Sequence, residues 1–157
     1  VRNVRTLQHG DYRLTPLAGF DISARVLAKE DYYLGRESDL SPTDLAMGWS
    51  IMSDSQILKE IEISQSGRWY RWRTNQLPAP QRDIERSSAN MHIIPADDGV
   101  AKQLERVRQG DLVRVEGYLV RVDAADGWHW VSSLTREDVG HGACELIYAQ
   151  RLTILTP

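Results

Sequence analysis

The stretch Leu112-Val113-Arg114-Val115-Glu116-Gly117-Tyr118-Leu119-Val120-Arg121-Val122 constrains the fold more than any other part of this chain. Alternation of apolar and polar residues at period two is the mark of a half-buried β-strand. Here the phase changes at Gly117: Val113 and Val115 fall on one face, Val120 and Val122 on the other. A glycine at a phase change marks a bulge or sharp bend, which lets one strand serve both halves of a small barrel. Upstream, Asn90 to Pro95 reads as a short apolar strand and Asp97 to Arg108 as a helix, which Gln109-Gly110-Asp111 ends.

Two flanking regions add strands. Asp11 to Lys29 is extended, with Ile22, Ala24 and Val26 on one face, and residues 1–10 read as a flexible lead-in. Ser64-Gln65-Ser66-Gly67 sets a turn between Ile61–Ser64 and the alternating Arg68–Thr74, a hairpin signature. Beyond the long strand, Asp123 to Gly127 is a loop, Trp128 to Leu134 pairs back, and Glu145 to Leu155 is the last strand, with a bulge expected near Gln150. Two short N-terminal helices are expected as well. Ser41-Pro42-Thr43-Asp44 has the serine cap, first-turn proline and following acid of a helix start, and Ser53-Asp54-Ser55-Gln56 starts another. The expectation is one α+β domain over residues 11–157, mostly antiparallel, built as a small barrel with a helix between strands.

Length and charge narrow the function classes. A chain of 157 residues buries a sufficient core without staples. A net charge of −3 disfavours nucleic acid as the principal partner. The single cysteine, Cys144, rules out an intramolecular disulfide and a cysteine-rich metal site. No apolar run approaches the roughly 18 residues of a spanning helix. The chain opens at Val1 rather than Met, which is compatible with a processed or excised form.

Three clusters could carry function. Arg68 to Arg73 interleaves arginines with Trp69, Tyr70 and Trp72, so Trp69, Arg71, Trp72 and Arg73 are candidates for stacking on rings and tracking phosphate. The blander reading places one aromatic face in the core and the arginines in solvent. Trp128 and Trp130 share a strand face and are candidates for the same kind of ligand, or for the core rim. Ser88, Asn90 and His92 point to one side of a strand and hold the ingredients of acid–base or nucleophilic chemistry; a hydrogen-bonded histidine at a strand end is the plainer account. Arg136 and Glu137 are secondary candidates beside them, and Cys144 with His141 brings a thiol near an imidazole in sequence. The histidines lack ligand spacing and the glycines lack phosphate-loop spacing, so no metal and no cofactor is expected.

The order strand, helix, Gly-Asp turn, coiled strand, hairpin, final strand resembles the OB-fold, on "LERVRQGDLVRVEGYLV" and "CELIYAQRLTIL". Across the whole chain, "SPTDLAMGWSIMSD", "ISQSGRWYRWR", "SSANMHIIPADD" and "SSLTREDVGHGACELIY" resemble a family of uncharacterised bacterial proteins. That resemblance implies an exported or membrane-anchored protein of the cell envelope or periplasm, with its N-terminal segment outside this sequence. It implies no activity. The leading expectation is a binding or scaffold domain for a protein, peptide or glycan, without catalysis. A hydrolase or transferase using Ser88, Asn90 and His92 is the alternative, and single-stranded nucleic-acid binding through Arg68–Arg73 comes third.

Overall fold

The computed structural model describes residues 5–133 and 144–156. In chain order the elements are β1 (Leu7–His9), β2 (Tyr12–Asp31), α1 (Arg36–Leu40), β3 (Thr43–Gly48), a 3-10 turn (Ser50–Ser53) and α2 (Ser55–Leu58). Then follow β4 (Glu62–Ser66), β5 (Trp69–Arg73), α3 (Gln81–Arg86), β6 (Ser88–Pro95), α4 (Asp98–Arg106), β7 (Leu112–Ala124), β8 (His129–Val131) and β9 (Cys144–Ile154). The domain is α+β and mostly antiparallel. Within the expected lead-in, Leu7–His9 pairs with Tyr12–Leu14.

Five strands make a ring in the order β2-β3-β6-β9-β7, closed by pairing of β2 with β7. β2 can close it because it is long and bent: Tyr12–Arg25 pairs with β7, and Arg25–Asp31 pairs with β3. Of the ring pairings only β6 with β9 is parallel. Leu45 and Met47, Met91 and Ile93, Val113 and Val115, Ile147 and Ala149 fill the interior. Val100 and Leu104 of α4 join the same core, so the helix between β6 and β7 plugs one end. Asp97 caps α4 by accepting from Val100 N at 2.9 Å.

Gly117 sits where the ring requires it. A Cβ there would run into the Tyr148 carbonyl oxygen. The β7–β9 register shifts at this point, Glu116 facing Arg151 and Gly117 facing Ala149, so Gln150 is the extra residue of a bulge. The bend expected at Gly117 and the bulge expected near Gln150 are one feature seen from its two strands.

The helix expected from Ser41 is not formed. Thr43–Gly48 is strand β3, buried at every residue and paired on both sides, with β2 and with β6. A capping signal contributes about 1 kcal/mol. Two complete ladders and the burial of Leu45 and Met47 outweigh it. The second expected helix survives as α2, capped by Asp54, which accepts from Gln56 N. The polar stretch before Ser41 holds α1 instead. The β4–β5 hairpin forms as expected and is an insertion between ring strands β3 and β6, docked on the outer wall through Ile63, Tyr70 and Trp72.

Candidate functional site

Alternation along the ring strands decides which side chains face outward. Since Leu45, Met91 and Ile147 point inward, Asp44, Asn90, His92 and Cys144 lie on the outer wall. The ladders place Asp44 opposite His92, and Asn90 opposite Cys144. Asp44 is 0% exposed. Its Oδ1 accepts from Arg68 Nη1 at 2.7 Å and lies 2.8 Å from His92 Nδ1, and its Oδ2 accepts from Asn90 Nδ2 at 3.1 Å. A carboxylate facing a guanidinium is an acceptor only, so His92 carries its proton on Nδ1 and directs Nε2 elsewhere.

Arg68 arrives from the tip of the hairpin. Gly67 and Arg68 both have positive φ, 57° and 73°, the pattern of a two-residue turn whose twist suits a hairpin. A left-handed arginine carries strain that its surroundings must offset. Here Nη2 donates to Ser41 O at 2.7 Å, while the backbone N–H donates to Tyr32 Oη at 2.9 Å. The Arg68 carbonyl accepts from Asn90 Nδ2 at 3.0 Å. Its guanidinium carbon lies 3.9 Å from the Tyr32 ring centre and 5.3 Å from that of Trp130, a cation held between two aromatic faces. Burial first, and then the Asp44 charge, pushes the Tyr32 hydroxyl up to about 12.

A cleft of about 570 Å³ opens beside this cluster, with Arg68, Trp69, His92, Trp130 and Cys144 in its walls and Glu37 and Ser133 at its sides. It brings together three residues expected from separate sequence clusters: Trp69, His92 and Trp130. The Trp130 ring lies 5.1 Å from the His92 ring, tilted by 40°. Burial, followed by the Asp44 and Glu145 charges, pushes the Cys144 thiol up to about 11, and its Sγ lies 3.9 Å from Arg68 O. That is the setting of an unreactive thiol.

The remaining candidates lie elsewhere. Ser88 Oγ donates to Ile84 O and contacts Tyr70 Oη at 2.7 Å, tying α3 and β5 to β6. Asn90 has its amide committed to Asp44 and Arg68 and its oxygen to Gln65. Both brace the wall rather than face the cleft. Trp72 packs against the ring, while Arg71 and Arg73 stand outward, Arg73 paired with Glu62 at 2.8 Å. These three line a separate, larger groove of about 830 Å³ with Tyr70, Leu77 and Glu85. In that groove the Tyr70 hydroxyl is committed to Ser88, whereas Asp44, Arg68 and His92 form a buried network beside the smaller cleft, which is therefore the better candidate. Trp128 stacks edge-on against Tyr12 and lies under the Arg36 guanidinium. Arg136, Glu137 and His141 lie outside the described residues.

Sequence reasoning missed Asp44, Arg68 as a buried cation, and Tyr32. Asp44 was hidden by its place in an apparent helix cap. Among the described residues no three of His, Cys, Asp and Glu gather as a metal site, and no helix is long and apolar enough to cross a membrane. No protein-family model, no curated protein and no solved structure matches the chain.

Proposed function

We propose that this domain is an OB-type binding module of the bacterial cell envelope, and that it seats its ligand in the cleft between Trp69, His92 and Trp130. Topology supports the OB reading. The ring strands run β2, β3, β6, β7, β9 in sequence, the third and fifth pair in parallel, and a helix links the third to the fourth. Ligands of such barrels meet the outer face between the first and fourth connecting loops. The cleft lies there: Glu37 comes from the first connection, Trp130 and Ser133 from the fourth. The envelope location rests on the resemblance of the chain to exported bacterial proteins.

One observation carries the binding reading. Two tryptophans from different elements converge on a concave wall whose polar groups are held fixed from behind by Asp44. A ligand seated there shields Trp69 from a soluble fluorescence quencher. The test is acrylamide quenching of the intact chain with and without envelope glycan or peptide fragments. Quenching that no fragment reduces removes the reading.

The His92–Asp44 contact favours a second reading, a hydrolase or transferase in which His92 Nε2 moves a proton and Ser88 and Asn90 hold the scaffold. It predicts turnover of an activated ester or glycoside that His92→Gln abolishes. Turnover no faster than buffer removes it.

A further inference from the structure

We infer that the cleft between Trp69 and Trp130 takes a neutral, polyhydroxylated ring, a saccharide unit, in preference to a nucleic acid or another polyanion. The inference rests on the cleft being the ligand site and adds the ligand's chemical class.

Charge decides the class. Arg68 is the only cationic side chain among the described residues that line the cleft. Its side chain is 13% exposed, and its nitrogens are turned inward: Nη1 to Asp44 at 2.7 Å, Nη2 to Ser41 O at 2.7 Å, Nε towards Glu37 at 3.7 Å. Among the described residues, a phosphate entering the cleft would therefore meet no uncompensated guanidinium. It would instead approach Glu37, whose side chain is 46% exposed. Nucleic-acid grooves have the opposite arrangement, with lysine and arginine tracking the backbone beside the stacking rings. The arginines that do stand in solvent, Arg71 and Arg73, line the other groove.

Shape and hydrogen bonding agree with a sugar. Trp69 is 41% exposed and presents ring surface from the hairpin, while Trp130, partly buried and already facing the Arg68 guanidinium, borders the cleft from β8. The C–H faces of a pyranose pack on such rings without needing charge. Around them stand a carboxylate (Glu37), the imidazole of His92 and Ser133, groups suited to the mixed donors and acceptors of ring hydroxyls. Asp44 fixes His92 through Nδ1, so one polar partner is held at a set angle.

The test titrates the intact chain with chitotetraose, with cellotetraose and with a short thymidine oligonucleotide, followed by tryptophan emission at about 50 and about 200 mM salt. The expected result is a saturable response to at least one saccharide, shifted less than about twofold by salt, and none to the oligonucleotide. Trp69→Ala weakens it by about tenfold, as the loss of one stacking face requires, with far-UV circular dichroism unchanged. Oligonucleotide binding that falls steeply with salt and depends on Trp69 overturns the ligand class and leaves the site standing. A saccharide response untouched by Trp69→Ala moves the site elsewhere and overturns both. No response to either saccharide overturns the inference.

Discussion

Asp44 and His92 face each other across the β3–β6 ladder, and Asp44 Oδ1 stands 2.8 Å from His92 Nδ1 on the outer wall of the ring. The same oxygen accepts from Arg68 Nη1 at 2.7 Å, so one fully buried carboxylate holds the hairpin tip and orients the imidazole of the cleft. Structure and site share that atom.

Breaking this node from one side leaves a buried charge without its partner. Asp44→Asn and Arg68→Ala are each expected to lower stability by about 3–5 kcal/mol. The double variant Asp44→Asn/Arg68→Ala should fall well short of their sum, with a coupling of about 2 kcal/mol or more. Urea denaturation of the four proteins measures it. Additive effects would mean that the two residues act separately.

Gly117→Ala tests the bend. The new Cβ would run into the Tyr148 carbonyl oxygen, which is backbone rather than a yielding side chain. A loss of about 3 kcal/mol is expected, at the upper end for overpacking, because β7 must separate from β9. Gly127→Ala, with nothing within 4 Å, is the control and strains only its own turn, at φ 92°.

Lys29 closes the far end of α4. Its Nζ donates to Leu104 O, Glu105 O and Val107 O at 2.9–3.1 Å, from a strand about 75 residues away. It satisfies carbonyls that a helix end leaves open and complements the dipole. Lys29→Met should cost about 1–2 kcal/mol and speed amide hydrogen exchange selectively in Asp98–Arg106.

The Cys144 thiol ties stability to alkaline pH. Its value is raised from 9.0 to about 11, so the unfolded chain releases the proton first as pH rises. The unfolded state then binds fewer protons than the native one, and stability falls with pH between those two values. Cys144→Ala is expected to remove that part of the slope. Alkylation by iodoacetamide at neutral pH should be much slower in the folded protein than in urea. Equal rates would contradict the buried setting.

Much of this architecture is written locally in the sequence. The alternation of β7, its change of phase at Gly117 and the Asp97 cap of α4 are short-range features, and each corresponds to a feature of the fold. Alternation also placed Ser88, Asn90 and His92 on one face, and Trp128 with Trp130. Asp44 could not be read so. Its partners His92 and Arg68 lie 48 and 24 residues away, and its immediate neighbours spell a helix start. The hairpin residues show the same limit: alternation separates Trp69 from Trp72, but only the docked hairpin shows that Trp69 faces the cleft and Trp72 the ring.

The claim that the cleft is the binding site is tested most directly by the indole N–H resonances of the five tryptophans, followed by NMR during titration with chitotetraose or another ligand found to bind. The account predicts saturable shifts at Trp69 and Trp130, together with the His92 ring protons, while Trp72 stays fixed. Shifts centred on Trp72, with Trp69 and Trp130 unmoved, would place the site in the arginine-lined groove and contradict it.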